Sequence, residues 1–204
     1  MNATVDFYFD VVCPYAYLAH TQVERLCETH GAELRWRPIL LGGLFRTIGA
    51  GDGPMPGMAE SKARLNLLDM QRWADLWEVP FSMPESHPNR TVLAMRCVLA
   101  SGDVPRAAKA LYRAYWERGL DCSDPAVVEA SLSDAGFDGA ALTAQAEQPE
   151  TKQALRDAVD EAARVGAFGV PTFVITRPDR EPTLVWGQDR LDFVAKAIEG
   201  TLEP

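Results

Sequence analysis

Apolar positions near the start of the chain predict a β-α-β unit. Residues 5–12 are mostly apolar, which is typical of a central strand. Apolar residues then recur at helical spacing as far as Gly31, so we expect a helix over residues 14–30. A second strand is predicted over residues 33–41. A helix between two strands indicates that the strands are parallel and joined by a crossover.

Helical patterns dominate the middle of the chain. The stretch at residues 42–56 is rich in Gly and Pro and predicts a loop. Beyond it we expect helices over residues 58–77, 89–101, 105–118, 125–135, 139–145 and 150–165. Strand patterns return at residues 172–176 and 183–186, and a last helix is predicted over residues 191–201.

This order of elements predicts an α/β fold with a large all-helical insertion. Residues 1–55 and 166–204 would form the α/β domain, and residues 56–165 the helical insertion. Within the insertion, one stripe at helical spacing is expected to belong to the core rather than to a cofactor site. The stripe consists of Met70, Trp73, Leu76 and Trp77.

Composition excludes several classes of function. The chain has 20 Lys and Arg against 29 Asp and Glu, a net charge of −9, which argues against a nucleic-acid-binding surface. It has no apolar stretch long enough for a transmembrane helix, and its N-terminus has no signal-peptide pattern. We therefore expect a cytoplasmic protein with reduced cysteines and with neither a membrane nor a nucleic-acid partner.

The cysteines and histidines show no metal-binding pattern. The four cysteines have no metal-ligand spacing and the three histidines are scattered, so no metal site is predicted. Cys27 and Cys97 fall in helical apolar patterns and are expected to be buried. Cys122 precedes Ser-Asp-Pro in a predicted loop and is expected to be more exposed.

Cys13 is the candidate reactive group. It begins the motif Cys-Pro-Tyr-Ala between the first predicted strand and helix, where Cys-X-X-Cys would indicate a dithiol oxidoreductase. Ala16 takes the place of the second cysteine, so no neighbour can resolve a mixed disulfide. The motif therefore leaves two functions open: disulfide exchange, or chemistry on a single thiol such as glutathione. A helix N-terminus should lower the pKa of Cys13.

Five stretches in order along the chain carry a family resemblance: residues 7–19, 36–45, 87–96, 166–173 and 186–191. They resemble the 2-hydroxychromene-2-carboxylate isomerases and kappa-class glutathione transferases of the DsbA-like thioredoxin superfamily. The resemblance implies a thioredoxin-like fold with a helical insertion. It also implies glutathione as cofactor, a small aromatic carboxylate as substrate, and a homodimer.

The resemblance also implies residues for glutathione. Pro171 would be a cis-proline facing the first helix, and the backbone N–H and C=O of Val170 would be free to pair with the ligand. Gln188 and Asp189 would lie at the γ-glutamyl end, and Lys62 would contact glutathione. From the residues alone, Asp189 could equally be the N-cap of the last helix, and Lys62 a surface lysine.

Cys13 departs from the family, whose members carry serine there to hold the glutathione thiolate. Cys13 would either stay protonated or react as a nucleophile. On the substrate side, Tyr15 would line the pocket, and Asn89 and Arg90 would bind the carboxylate, although Asn89 could simply cap a helix. Tyr17 is expected to pack in the core.

These features predict a glutathione-dependent isomerase in which the bound thiolate is the nucleophile. Alternatives remain open at this point. The chain could be a monothiol thiol-disulfide oxidoreductase that uses Cys13, or a kappa-type glutathione transferase. It could also be a non-catalytic module that binds thiols or peptides.

Overall fold

A computed structural model describes residues 3–51, 53 and 57–202 of the chain. Its strands form a mixed sheet in the order β2-β1-β3-β4. Strand β1 pairs in parallel with β2 and antiparallel with β3, and β4 pairs antiparallel with β3 at the edge. The strands are β1 (Thr4–Phe9), β2 (Glu33–Pro38), β3 (Thr172–Arg177) and β4 (Arg180–Trp186).

The helices follow the predicted order. A crossover helix joins β1 to β2, a run of helices joins β2 to β3, and a last helix follows β4 after a 3-10 turn at Gln188–Arg190. The helices are α1 (Pro14–Thr29), α2 (Leu41–Thr47), α3 (Glu60–Leu76), α4 (Val92–Ala100), α5 (Val104–Tyr112), α6 (Pro125–Asp134), α7 (Gly139–Ala146), α8 (Pro149–Arg164) and α9 (Leu191–Glu199). Helix α5 continues into a π-helical turn at Arg113–Glu117.

Helix α2 corrects the sequence prediction, which placed a loop over residues 42–56. Leu44 is fully buried, and Gly43 lies so close to α8 that an added Cβ would be 3.4 Å from Val159 Cγ2. Tertiary packing thus stabilises a helix across two glycines that disfavour it locally. Residues 52 and 54–56 of that stretch lie outside the described residues. So does the predicted boundary between residues 55 and 56, and the division into two domains stays a prediction.

The core is built on the central strand. Phe7 of β1 has its ring centroid 5.3 Å from that of Phe173 on β3 and 5.2 Å from that of Trp36 on β2. The insertion is fixed to this core at the end of β1, where Trp116 Nε1 donates a hydrogen bond of 2.7 Å to the backbone oxygen of Val11. The buried indole therefore anchors the helical block two residues before Cys13.

Two sequence predictions about burial are wrong. Cys122 is fully buried, with Sγ 4.0 Å from the backbone oxygen of Leu111, although it lies outside a helix. Leu76 is 69% exposed instead of belonging to the core, whereas Trp73 and Trp77 pack partly against it. Cys27 and Cys97 are buried as predicted, and Tyr17 packs in the core.

No helix in the described part of the chain is long and apolar enough to span a membrane. Among the same residues, no group of three or more His, Cys, Asp and Glu side chains is placed to hold a metal ion.

Candidate active site

Cys13 lies where the sheet meets the first helix. Strand β1 ends at Phe9, and a turn closed by Cys13 N–H donating to the backbone oxygen of Asp10 (3.0 Å) leads into α1. Cys13 is the N-cap residue of α1 in an extended conformation, and Pro14 occupies the first turn. A proline fits there because the first N–H groups of a helix have no partner within it.

The segment before β3 faces Cys13. The Val170–Pro171 peptide bond is cis, as predicted, and the Cys13 thiol donates a hydrogen bond of 3.1 Å to the backbone oxygen of Val170. The prediction that this carbonyl is free is therefore wrong. We find no acceptor for the Val170 N–H among the described residues. Thr172 Oγ1 donates to the backbone oxygen of Gly169 at 2.7 Å, which holds the turn in place.

Cys13 is a buried, protonated thiol. The residue is only 6% exposed, and burial raises the pKa of the thiol to about 12. The backbone N–H groups of Ala16 and Tyr15 lower this pKa, but burial outweighs them, and the charge of Asp10 raises it further. The predicted decrease of the Cys13 pKa is wrong for this reason. All four cysteines are free.

Tyr15 lies within electrostatic range of Cys13 and of two carboxylates, Asp69 and Asp189. Burial raises the pKa of Tyr15 to about 12, and the charges of Cys13, Asp69 and Asp189 add to this, so the phenol lies within electrostatic range of all three. Asp189 is exposed, and its Oδ1 accepts a hydrogen bond of 2.9 Å from Arg190 Nη1.

Gly187 links the end of β4 to the cis-proline segment. It donates a hydrogen bond of 3.0 Å to the backbone oxygen of Pro171, and its φ is 103°. This φ favours glycine, and a Cβ at this position would also lie 2.4 Å from Asp189 Oδ1 and displace that carboxylate. The hydrogen bond from Gly187 therefore ties the turn after β4 to the cis-proline segment.

The comparisons with known proteins agree with this geometry. The profile of the DSBA-like thioredoxin domain matches residues 4–199. The chain belongs to the DSBA-like thioredoxin family. It is 30% identical to a 2-hydroxychromene-2-carboxylate isomerase of Sphingobium xenophagum over 95% of this chain and 97% of that protein.

Two further comparisons place this DSBA-like chain within the family. It is 27% identical to glutathione S-transferase kappa 1 of Rattus norvegicus, over 94% of this chain and 88% of that protein. A solved structure of a 2-hydroxychromene-2-carboxylate isomerase superimposes with a TM-score of 0.76 at 26% identity, covering 97% of this chain and 95% of that one. These relatives are named as enzymes, and the chain is an enzyme of the glutathione-dependent isomerase and transferase type.

The other predicted site residues of the DSBA-like chain make no hydrogen bond to the Cys13 thiol among the described residues. Lys62 is exposed near the start of α3 and has no hydrogen bond or ion pair among the described residues. Gln188 is buried in the 3-10 turn. The N-cap of α9 is Arg190, so the alternative role of Asp189 as helix cap is wrong.

Asn89 forms hydrogen bonds with residues of the helical block. Its Nδ2 donates to Asp121 Oδ1 at 2.6 Å and its backbone N–H donates to the Tyr115 hydroxyl at 3.1 Å. Helix α4 begins only at Val92, so Asn89 is not its cap. Asn89 Oδ1 is buried and has no protein partner among the described residues, while Arg90 is exposed. The substrate roles of both residues stay predictions.

Sequence reasoning missed Asp10 as part of the DSBA-like site. Its fully buried carboxylate accepts hydrogen bonds from the backbone N–H groups of Val12 (3.2 Å) and Leu41 (2.8 Å) and from Thr91 Oγ1 (2.8 Å). One side chain therefore joins the Cys13 loop, the start of α2 and the start of α4. The signal that could have identified it is its place between Phe9 and Val11, where an acid has apolar neighbours on both sides.

Tyr112 was also missed. It is fully buried at the end of α5, and its hydroxyl has no hydrogen-bond partner among the described residues. Burial raises the pKa of this phenol well above its usual value, and the charges of Cys13 and Asp10 contribute, so the phenol lies within electrostatic range of both. Nothing in the sequence distinguishes Tyr112 from an ordinary core aromatic.

Proposed function

We propose that the protein is a glutathione-dependent isomerase acting on a small aromatic carboxylate of the 2-hydroxychromene-2-carboxylate type. In this proposal Cys13 is a protonated hydrogen-bond donor to the glutathione sulfur, in place of the family's serine. The observation that carries it is the buried Cys13 thiol, which donates to Val170 O and has a pKa raised to about 12. The same proposal places the enzyme in the cytoplasm, where glutathione is reduced.

The groups around Cys13 fit a glutathione molecule. The Val170 backbone beside the cis bond offers an N–H to a peptide-like ligand, which is pairing of the strand-addition type. The exposed Asp189 carboxylate offers an acceptor for an ammonium group, and its present partner is the neighbouring Arg190. The Cys13 thiol and the Val170 N–H are donors and the Asp189 carboxylate is an acceptor, and together they are complementary to the sulfur, a peptide unit and the ammonium group of glutathione.

When bound, glutathione would supply a thiolate that adds to an unsaturated carbon of the substrate and leaves unchanged after isomerisation. The residues of the chain would hold glutathione in place and polarise its sulfur. The Cys13 thiol would turn from Val170 O to donate to the ligand sulfur, which favours the anionic form of that sulfur. Asp189 would fix the amino end, and Pro171 would shape the backbone.

On the substrate side, Tyr15 is the residue best placed for contact. It is partly buried within electrostatic range of Cys13 and Asp189, and its raised pKa keeps the phenol protonated near neutral pH. A protonated phenol is a hydrogen-bond donor to a carbonyl or phenolate oxygen. Arg90 would bind the substrate carboxylate from its exposed position.

A redox role for Cys13 is the weaker candidate. A monothiol oxidoreductase needs a thiolate that attacks a disulfide, and burial opposes thiolate formation at Cys13. A kappa-type transferase would share the glutathione site, and similarity to glutathione S-transferase kappa 1 supports it. The two enzymes differ in their electrophilic substrate.

Calorimetry and activity assays test the proposal together. Reduced glutathione is titrated into the wild type and into the Asp189→Asn variant, which keeps the shape but removes the charge. We expect saturable binding to the wild type and at least roughly tenfold weaker binding to the variant, because a charged hydrogen bond is lost. Absence of binding to the wild type would overturn the glutathione role.

A substrate panel then separates the enzymes. Conversion of 2-hydroxychromene-2-carboxylate only in the presence of glutathione supports the isomerase. Conjugation of an aryl halide without isomerisation would replace it by the transferase. Binding of glutathione with neither reaction would favour a binding module. A stable glutathione adduct on Cys13 after treatment with oxidised glutathione, seen by mass spectrometry, would favour the oxidoreductase.

A further inference from the structure

His87 is held by two aromatic side chains of the helical block. Its Nδ1 lies 2.9 Å from the Tyr115 hydroxyl, and its ring centroid lies 5.3 Å from that of Trp116. Tyr115 and Trp116 are neighbours in the π-helical turn Arg113–Glu117, and both are fully buried. Turns of this kind are rare and occur frequently at functional sites, so the polar residue that this turn holds is a candidate functional residue.

The hydrogen bonds of Tyr115 decide which ring nitrogen of His87 carries the proton. The Tyr115 oxygen already accepts a hydrogen bond of 3.1 Å from the backbone N–H of Asn89. Burial raises the pKa of this phenol, so it keeps its proton, and His87 Nδ1 is the acceptor that we find for it among the described residues. Tyr115 O–H therefore donates to His87 Nδ1, and the proton of the neutral imidazole lies on Nε2.

The Nε2–H group of His87 is an unused donor. Burial lowers the pKa of His87, which favours the neutral ring near neutral pH. His87 is partly exposed, and its Nε2 has no hydrogen-bond partner among the described residues. Nε2 is nevertheless not one of the buried polar atoms that lack a partner, so it reaches solvent. The structure thus presents one donor whose direction is fixed by Tyr115.

The segment that begins at His87 is connected to the turn that carries Cys13. Four residues along it, Thr91 Oγ1 donates a hydrogen bond of 2.8 Å to Asp10 Oδ1. The indole that lies against the His87 ring donates one of 2.7 Å to the backbone oxygen of Val11. The backbone oxygen of Asp10 in turn accepts from Cys13 N–H at 3.0 Å. Two direct contacts therefore connect the surroundings of His87 to the Cys13 turn.

We propose that His87 Nε2–H is a hydrogen-bond donor to the carboxylate of the aromatic substrate, and that Tyr115 is the positioning residue that keeps the proton on Nε2. The inference rests on the proposed function, because it assigns the donor to the substrate of that reaction. Arg90, three residues along the chain, is exposed. A neutral donor of fixed direction beside a guanidinium suits a carboxylate, because the first sets the orientation and the second supplies the charge.

His20 offers a contrast within the same chain. Its Nδ1 contacts the backbone oxygen of Tyr17, which can only accept, so the neutral His20 ring carries its proton on Nδ1. His87 and His20 are therefore opposite tautomers. The third histidine of the chain, His30, pairs with Glu199 at 3.0 Å. With only three histidines, the ring nitrogens of each one can be followed separately.

Nuclear magnetic resonance of the protein with isotope-labelled histidine rings tests the tautomers near neutral pH. We expect His87 to be protonated on Nε2 and His20 on Nδ1. In Tyr115→Phe the donor to His87 Nδ1 is lost, so the His87 signals should move toward a mixture of both tautomers, whereas those of His20 should stay. A His87 ring protonated on Nδ1 in the wild type would overturn the proposal, and so would an unchanged His87 in Tyr115→Phe.

Titration with salicylate tests carboxylate binding without turnover. Salicylate is a small aromatic hydroxycarboxylate, and 2-hydroxybenzyl alcohol is its matched control without the carboxylate. We expect salicylate, and not the alcohol, to shift the His87 Nε2 signal in a saturable way, with His20 unchanged. His87→Leu should weaken salicylate binding at least about tenfold, because a hydrogen bond to a charged group is lost. His87→Gln keeps a donor and should stay within about threefold of the wild type.

These measurements separate the inference from the proposed function. If salicylate gives no saturable shift of His87, or binds His87→Leu as tightly as the wild type, the role of His87 is refuted and the glutathione role is unaffected. A saturable shift of His87 in a protein that does not bind glutathione would refute the proposed function alone. Circular dichroism checks that each variant is folded, and His87→Leu should bind reduced glutathione as tightly as the wild type.

Discussion

Two opposing effects act on the proton of Cys13. The helix N-terminus and its free N–H groups favour a thiolate, as the sequence suggests, but the buried position favours the neutral thiol and outweighs them. The neutral thiol donates to Val170 O. At the scale of this residue, burial of the sulfur decides the protonation state of the thiol, and the sequence motif does not.

Replacement of Cys13 by serine and by alanine separates a donor from a nucleophile. We expect Cys13→Ser to keep glutathione binding and glutathione-dependent isomerisation within about threefold of the wild type, because the hydroxyl is a donor of similar size. Cys13→Ala should lower kcat/KM about tenfold or more, because a hydrogen bond to a charged sulfur is lost. Serine and alanine variants that are equally inactive would show that the thiol is a nucleophile.

The raised pKa of Cys13 predicts slow alkylation. Only the thiolate reacts with iodoacetamide, and a thiol with a pKa of about 12 remains protonated near neutral pH. We expect the rate of Cys13 modification, followed by mass spectrometry of the folded protein, to keep rising with pH above 9. The unfolded protein in denaturant should instead reach a plateau near pH 9–10. A plateau below pH 8 in the folded protein would contradict the prediction.

At the scale of elements, the Asp10 carboxylate connects three of them. It accepts from Val12 N–H in the Cys13 loop, from Leu41 N–H at the start of α2 and from Thr91 Oγ1 at the start of α4. Burial raises the pKa of Asp10, and the three donors oppose that increase. The loop that carries Cys13 is therefore positioned by helices that are distant in sequence.

Replacement of Asp10 by asparagine should loosen this junction. The amide supplies one acceptor oxygen instead of two and directs an NH₂ group at existing donors, so we expect a loss of about 1–3 kcal/mol in the free energy of unfolding. Urea denaturation measures it. Thr91→Val is the matched control: it removes one donor only and should cost about 1 kcal/mol. An Asp10→Asn loss no larger than that of Thr91→Val would contradict the proposed junction.

The sequence predicted some helices and strands correctly and missed the bounds of others. The crossover helix, the helical run and the final hairpin follow from periodicity, because an apolar face of regular spacing is needed to bury each element. Helix α2 and the late start of α4 at Val92 do not follow from it. Both segments lie against distant partners: Gly43 lies beside Val159 of α8, and Asn89 N–H donates to the Tyr115 hydroxyl.

At the scale of the whole molecule, His20 lies at the contact between α1 and the helical block. Its ring is stacked on that of Tyr112 at 4.5 Å, and its Nδ1 contacts the backbone oxygen of Tyr17. Burial lowers the pKa of His20 to about 4, and the charges of Lys109 and Arg113 lower it further. Protonation of the His20 ring therefore opposes the packing of α1 against the helical block.

This arrangement predicts a specific pH dependence of stability. A folded pKa below the unfolded value means that the stabilisation is present above pH 6.5 and is lost as the pH falls toward 4. The equilibrium constant for unfolding should rise up to about tenfold per pH unit in that window. His20→Phe keeps a stacked ring without the titrating group, so urea denaturation should show a shallower slope. Equal slopes in the two proteins would contradict the role of His20.

The cis-proline was implied by the family resemblance. The sequence by itself determined the order of most elements and the thiol at a helix start. Those features depend on local spacing and on residue type, which are read directly along the chain. Only the tertiary structure decided the protonation of Cys13, the junction at Asp10, the buried Tyr112 hydroxyl and the exposure of Leu76. These depend on solvent access and on contacts between residues far apart in sequence, and local periodicity carries no information about either.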